Sequence, residues 1–312
     1  MSVLLVTPCT NRKLGLARVS SLSPSLLQVG PQEYVTDQWL SLVQASSYCC
    51  SADNLYGGRG FKEALSTVET NRYWLWIISA GLGLINAQTV VPAYNLTVTP
   101  DNTHSIQSRI SGRPFCARSW WSNLNTRLRG GRDLAALVRS SPHSTVVITL
   151  SVAYANLVSS DLMQLAAHEL NQIRIVGPTS VESLPEPLRP CWMPYDTRFD
   201  GPDSPLPGTR ADYPQRVARH FVTMIERGGS EASLVDHRAG VSAFMQELAP
   251  PVRVERVRMD DDSIRSVIRE HWEDANGSST RMLRILRDNK GIRCEQGRFA
   301  RIFRDLKQGI AT

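Results

Sequence analysis

TVVITL (145–150), then LVSSDLMQLAAHEL (157–170), then IRIV (173–176) reads as a strand, a helix and a second strand in succession. The flanking runs are short, continuously apolar and rich in β-branched residues, as strands buried on both faces are. The middle run has helical spacing, and a strand–helix–strand order of this length predicts two parallel neighbours joined by a crossover. The pattern extends towards the N-terminus. Val3–Val6 (VLLV) ends in Thr7-Pro8, YWLWIIS (73–79) is a further aromatic and β-branched run, and DLAALV (133–138) is a helical lead into the strand at 145. Together these predict an α/β domain, three-layered, with a four-stranded parallel sheet. The four strands end in Thr7, Ser79, Ser151 and Gly177, and each is followed by a polar or Gly/Pro-rich loop. Ligands of open parallel sheets collect at those carboxyl ends.

Residues 185–214 hold eight prolines and little periodicity, which predicts a linker between an α/β domain over 1–184 and a mainly helical domain over 215–312. Helical spacing resumes at Pro214 with Val217, Phe221 and Ile225, then Val241, Phe244, Met245 and Leu248. Residues 252–259 are read as a short strand. The last segment predicts three helices: one capped within Asp260–Asp262, one capped at Ser278 or Ser279 and closed by Gly291, and one from about Glu295. The third buries Phe299, Ile302, Phe303 and Leu306 and turns Arg298, Arg301, Arg304 and Lys307 outward. Two short helices around a glycine turn, the second basic outside, fit a helix-turn-helix.

Charge is distributed unevenly. The chain of 312 residues has a net charge of +6, and residues 277–312 carry nine Lys/Arg against three Asp/Glu, so this tail accounts for the whole excess. Such a footprint predicts a polyanionic partner, with Arg281 and Arg284 of the second helix joining the four cations of the third. The 42% hydrophobic content argues against disorder. The longest apolar stretch, 75–85, is interrupted by Ser79, Gly81 and Gly83 and is too short to span a membrane. The N-terminal residues lack the basic region of a signal peptide. The six cysteines (9, 49, 50, 116, 191 and 294) show no C-x-x-C spacing, which predicts free thiols in the reducing cytoplasm, no structural metal and no disulfide framework. The six histidines show no metal-site spacing, Ser144 and Ser151 lack a nucleophile-elbow sequence, and Trp120-Trp121 reads as core.

Four loops remain as candidate chemistry. TPCTNRK (7–13) brings a thiol, hydroxyl, amide and two cations to the first strand end, where small polar groups can hold a water or a base edge and Arg12 and Lys13 a phosphate. SAGLGLIN (79–86) offers glycines for close backbone approach but lacks a dinucleotide fingerprint. NLYGGRGF (54–61) is a further Gly-rich turn, equally compatible with a plain loop. Gly177-Pro178-Thr179-Ser180 can form a rigid loop that grips a nucleic-acid backbone.

CTNRK, LYGGRGF, ISAGLGLI and PAYNLT together resemble a domain shared by peroxide-stress-type proteins and relatives of the archaeosine transglycosylase, over roughly residues 1–100. Asn95 stands where that pattern has an acidic residue. In the order of its loops, the first domain also resembles the uracil-DNA-glycosylase superfamily, with TPCTNRK, SAGLGLIN, LSVAYA and GPTS in the four functional places. The first loop has no carboxylate, and Gly177 stands where the last loop usually has His. The closest functional class is that of phage-defence glycosylases acting on glucosylated cytosine. The resemblance implies a DNA glycosylase that needs no cofactor and no metal and acts on modified double-stranded phage DNA. Asn11 would position the water with Thr10 nearby, and Cys9, Ser79, Gly81, Asn86, Tyr94, Asn95 and Ser151 would form the base pocket. Arg12, Lys13 and residues 177–180 would contact the DNA backbone. The competing expectations are a non-enzymatic DNA-binding stress or regulatory protein, and an N-glycosidase or transglycosylase of tRNA or nucleotides.

Overall fold

The computed structural model describes residues 2–14, 22–71, 73–100, 102–178, 180–228, 232–251 and 255–310. These form two compact units, Met1–Pro251 and Val252–Thr312.

The first unit contains strands β1 (Ser2–Pro8), β2 (Tyr48–Ser51), β3 (Trp74–Ser79), β4 (Gly83–Asn86), β5 (Val90–Pro92), β6 (Ser144–Thr149) and β7 (Ile173–Val176). Its helices are α1 (Gln32–Ala45), α2 (Ala52–Leu55), α3 (Arg59–Asn71), α4 (Ala117–Arg129), α5 (Leu134–Arg139), α6 (Val152–Leu162), α7 (Ala167–Leu170), α8 (Tyr213–Gly228) and α9 (Leu234–Gln246). The main sheet has the order β4-β3-β1-β6-β7. β1 lies at its centre, with Leu4 opposite Trp74 on one side and Val146 on the other. The four strands expected from the sequence are present and mutually parallel, so their carboxyl ends share one edge.

The sheet is nevertheless mixed and five-stranded. SAGLGLIN does not run out as a loop after β3; Ala80–Leu82 turns the chain back and Gly83–Asn86 pairs antiparallel with β3. Alternation in GLIN is too short to be distinguished from loop in the sequence, and the turn is secured from elsewhere: Asn125 of α4 accepts the Leu84 N–H at 2.7 Å. Every residue of β6 and β7 is buried, so these strands are covered on both faces, as their unbroken apolar character requires. Helices α3 and α8 pack on each other; α3 also lies on β1 and β3, and α8 on β6 and β7. α4 packs on β4, α1 and α6.

Residues 185–214 are not a linker, and the division at 251/252 replaces the expected boundaries at 184 and 214. Met193 N–H bonds Ile175 O at 2.9 Å, so this segment adds a bridge to the outer side of β7. Sheet edges left bare invite association, and this strap closes one. Met193, Tyr195 and Phe199 are fully buried. Phe199 packs edge-on against Tyr195, Tyr213, His220 and Phe244, joining the strap to α8 and α9. The abundant prolines sit among short 3-10 helices, Glu186–Cys191 and Thr197–Asp200, whose intervening apolar side chains enter the core.

The second unit contains a two-residue parallel pair, β8 (Val257–Arg258) and β9 (Ile292–Arg293), with α10 (Asp261–Glu270), α11 (Trp272–Ala275), α12 (Ser279–Arg284) and α13 (Gln296–Ile310). A π-helical turn, Ile285–Asn289, extends α12. The strand expected over 252–259 is reduced to Val257–Arg258, and residues 252–254 lie outside the described residues. Caps form where the side chains allow: Asp260 accepts the Ser263 N–H at 2.7 Å, and Ser278 that of Arg281 at 3.4 Å. Ile264, Ile268, Met282, Leu286, Phe299, Ile302 and Phe303 form a core of this unit's own.

Candidate functional site

The loop after β1 closes onto the Gly-rich turn that starts α3. Thr10 donates its hydroxyl to Gly57 O at 2.7 Å, Gly57 N–H bonds Arg12 O at 2.8 Å, and Leu14 N–H bonds Leu55 O at 2.9 Å. Lys13 turns inward. Its Nζ donates to Thr10 O and lies 4.5 and 4.6 Å from the ring centres of Tyr56 and Tyr94. Burial lowers the Lys13 pKa to about 8, partly offset by the neighbouring Cys9 thiol. Two aromatic faces and a carbonyl thus hold this cation in place of water.

Below the loop lies a closed polar cluster. Tyr94 Oη is 2.7 Å from both Tyr56 Oη and Ser79 Oγ, and Ser79 Oγ accepts the Leu82 N–H at 2.9 Å. Cys9 Sγ lies 3.2 Å from Tyr154 Oη and accepts the Ala80 N–H at 3.4 Å. Burial raises the phenol pKa values of Tyr56, Tyr94 and Tyr154 well above the ordinary range. Trp39 and Trp120 donate their indole N–H groups to Gly81 O and Ala80 O, each at 2.7 Å. Cys9, Ser79, Gly81 and Tyr94, expected to line a base pocket, are therefore packed against protein.

Other expected pocket residues lie elsewhere. Asn86 pairs with Trp76 at the far end of β4, because the turn at 80–82 sends the chain back along β3, and its side chain accepts the Gln88 N–H at 2.9 Å. Asn95 Nδ2 is 3.4 Å from His104 Nε2. Ser151 is exposed at the start of α6, on the shared carboxyl edge.

The loop after β7 departs from the expected phosphate grip. Gly177 has φ +107°, and a Cβ there would fall 2.5 Å from Leu150 O and 2.8 Å from Pro214 Cβ, so no side chain fits. Pro178 O accepts the Trp192 indole at 2.9 Å. Ser180 donates to the Glu182 carboxylate, which lowers that carboxyl's pKa and sets a negative charge where a phosphate was expected. Thr179 lies outside the described residues.

Asn11 and Arg12 are the exposed members of the first loop, and the pairing with the Gly-rich turn brings Arg12 beside residues that the sequence reading left unassigned. Arg12, Leu14, Gly58, Arg59, Lys62, Glu63 and Ser66 line a cleft of about 490 Å³. Arg59 is tied at 2.9 Å to Asp212, which also pairs with Arg216 at 2.7 Å; Glu63 pairs with Arg219 at 2.8 Å. Arg12 and Lys62 make no ion pair among the described residues, which leaves the cleft positive. The signal available in the sequence was the run GGRGFK: glycines that let Arg59 and Lys62 face a third cation, Arg12, from the loop after β1.

In the second unit, Arg298 and Arg301 are only partly available to a ligand. They bond the two carboxylate oxygens of Asp261 at 2.7 and 2.9 Å, and Arg298 also donates to Met259 O at 2.8 Å. Arg281, Arg284, Arg304 and Lys307 are exposed. Arg304 and Lys307 border a groove of about 400 Å³ between α12 and α13, with Leu283, Phe299 and Phe303 in its wall.

Among the described residues no three His, Cys, Asp or Glu side chains converge as a metal site would, and no helix is long and apolar enough to cross a membrane. No family model matches the chain, and neither the curated proteins nor the solved structures give a match.

Proposed function

We propose that the protein is a DNA glycosylase that excises a modified base. One observation carries this reading: Asn11 is exposed at the carboxyl end of β1, the central strand of a mixed sheet with four parallel members, on a loop fixed by the inward Lys13 and directly beside the cationic Arg12 cleft. The four parallel strands lie in the spatial order β3-β1-β6-β7, so the segments that follow them leave from one edge of the sheet.

In the proposed reaction the base is flipped out of the duplex. The bond from C1′ to the base nitrogen breaks as a water oxygen bonds C1′; the electron pair leaves with the base, and the water's proton ends on it. Positive charge develops on the sugar and negative charge on the base. The Asn11 amide oxygen can orient the water, and nearby donors can stabilise the departing base. With no carboxylate in the loop, bond breaking relies on a base that is already a good leaving group or is strongly held. A hypermodified cytosine such as glucosylated hydroxymethylcytosine is the substrate we favour.

The test is incubation with unmodified, uracil-containing, hydroxymethylated and glucosylated DNA. Abasic sites are read by alkaline cleavage and released bases by mass spectrometry. Release from a modified DNA is expected, together with its loss in Asn11→Ala without loss of DNA binding. An Asn11→Ala protein that retains full activity removes the assignment of the water. Binding without release from any DNA favours a second reading, a non-catalytic DNA-binding regulator. The packing of Ser79, Gly81 and Tyr94 against protein is the observation on that side.

A further inference from the structure

We infer that the cleft between the β1 loop and α3 is a phosphodiester-binding site, with Arg12, Arg59 and Lys62 as its cations, that holds the DNA strand next to Asn11. This deepens the glycosylase reading and rests on it for the choice of DNA as the polyanion.

Three independent features converge there. The first is space: about 490 Å³ is roughly that of a ligand pocket able to seat a sugar-phosphate unit. The second is charge. Glu63 is compensated by Arg219, and the carboxylate of Asp212 is buried and shared by Arg59 and Arg216, with Arg216 also bound to Asp200. Arg12 and Lys62 therefore face the cleft uncompensated by any described residue, and Arg59 is held in a fixed position by Asp212 and by its bond to Pro207 O at 3.0 Å. A guanidinium already tethered at one edge loses little freedom when its other edge meets a phosphate. The third is shape. Gly58 has φ +95°, which favours glycine, and only the Arg12 side chain comes within 4 Å of where its Cβ would stand. With no side chain at Gly58, a sugar can approach the turn closely while its phosphates meet Arg12, Arg59 and Lys62.

The position matters as much as the composition. Arg12 follows Asn11 directly, so a strand gripped here passes the proposed water site. The phosphate contact once expected at residues 177–180 is opposed by Glu182. The α3 cleft supplies the cations that loop lacks.

The experiment compares full-length wild type with Arg12→Ala/Lys62→Ala. Both side chains are exposed, and a thermal melt checks that the fold is kept. Fluorescence anisotropy with an unmodified duplex, at several salt concentrations between about 50 and 200 mM, measures affinity and its salt slope. The double variant is expected to bind on the order of ten-fold more weakly, with the slope reduced by about 1.8 for two lost phosphate contacts. Unchanged affinity and slope overturn the proposal. The outcome is separable from the glycosylase reading: weakened binding in a protein that releases no base leaves the cleft standing and removes the enzyme, whereas base release with unaltered binding in the double variant does the reverse.

Discussion

Asp161 on α6 accepts the Trp121 indole N–H at 2.6 Å and the Leu134 N–H at 3.2 Å through the same carboxylate oxygen. These two bonds do not compensate for burial, which raises the Asp161 pKa from 3.8 to about 6, with the charge of Asp133 adding to the shift. The folded state then binds a proton that the unfolded chain has released, between pH 3.8 and about 6. Stability on this account is greatest at the acid end and falls as pH rises through that window. Asp161→Asn keeps an acceptor for both donors and removes the charge. Denaturant unfolding at pH 4 and pH 7 is expected to show the wild type losing up to about 3 kcal/mol relative to Asp161→Asn over that range. An identical pH dependence in the two proteins contradicts the assignment. Single residues were unequally legible in the sequence. The loop CTNRK could be identified as the end of a strand, and Asn11 and Arg12 are exposed there. That Lys13 turns inward between two tyrosines could not be read, because Tyr56 and Tyr94 lie far from it in sequence and a lysine beside an arginine ordinarily reads as a solvated pair. The fates of Ser79 and Tyr94 were hidden for the same reason: polar side chains after a strand suggest a pocket until one knows that they satisfy each other.

At the scale of elements, the strands of the parallel sheet were legible because buried parallel strands announce themselves as unbroken apolar runs. β4 was missed since four residues containing glycine carry almost no pattern, and with it went the position of Asn86. The larger miss was the strap. Proline density argued for a linker, yet prolines also reduce the chain entropy lost when a segment is ordered, and Leu188, Met193, Tyr195 and Phe199 between them are the residues that enter the core. This gives a direct test. Phe199 is fully buried among four aromatic rings, so Phe199→Ala is expected to destabilise the protein by about 3–5 kcal/mol in a denaturant titration, the usual cost of emptying an aromatic core site. In an unstructured linker the same change would be within about 0.5 kcal/mol of neutral. A shift that small would put Phe199 back in a connector and remove the strap from the edge of β7.

At the scale of the whole molecule, the sequence showed the charge excess but not how its members are used. The excess sits in residues 277–312, most of the second unit, yet its arginines fall into two groups. Arg298 and Arg301 clamp Asp261 at the start of α10 and depress its carboxyl pKa, so part of their charge is already committed to the fold. Arg304 and Lys307, one turn further along α13, border an open groove and make no ion pair among the described residues. A helical wheel places all four on one outward arc and cannot separate them; only the position of α10 does. The two pairs should therefore respond differently. Arg304→Ala/Lys307→Ala is expected to weaken DNA binding about equally for modified and unmodified duplexes, to lower the salt slope by about 1.8, and to leave thermal stability unchanged. Arg298→Ala is expected to lower the melting temperature as well, since it strands Met259 O and one oxygen of Asp261 without their donor. Because both units would then contribute phosphate contacts, the loss in Arg304→Ala/Lys307→Ala should add to that in Arg12→Ala/Lys62→Ala on a logarithmic scale, as independent sites do. Equal losses of stability in the Arg298 and Arg304/Lys307 variants, with no change in DNA affinity, would reassign the basic tail to a solvated face of a small helical unit.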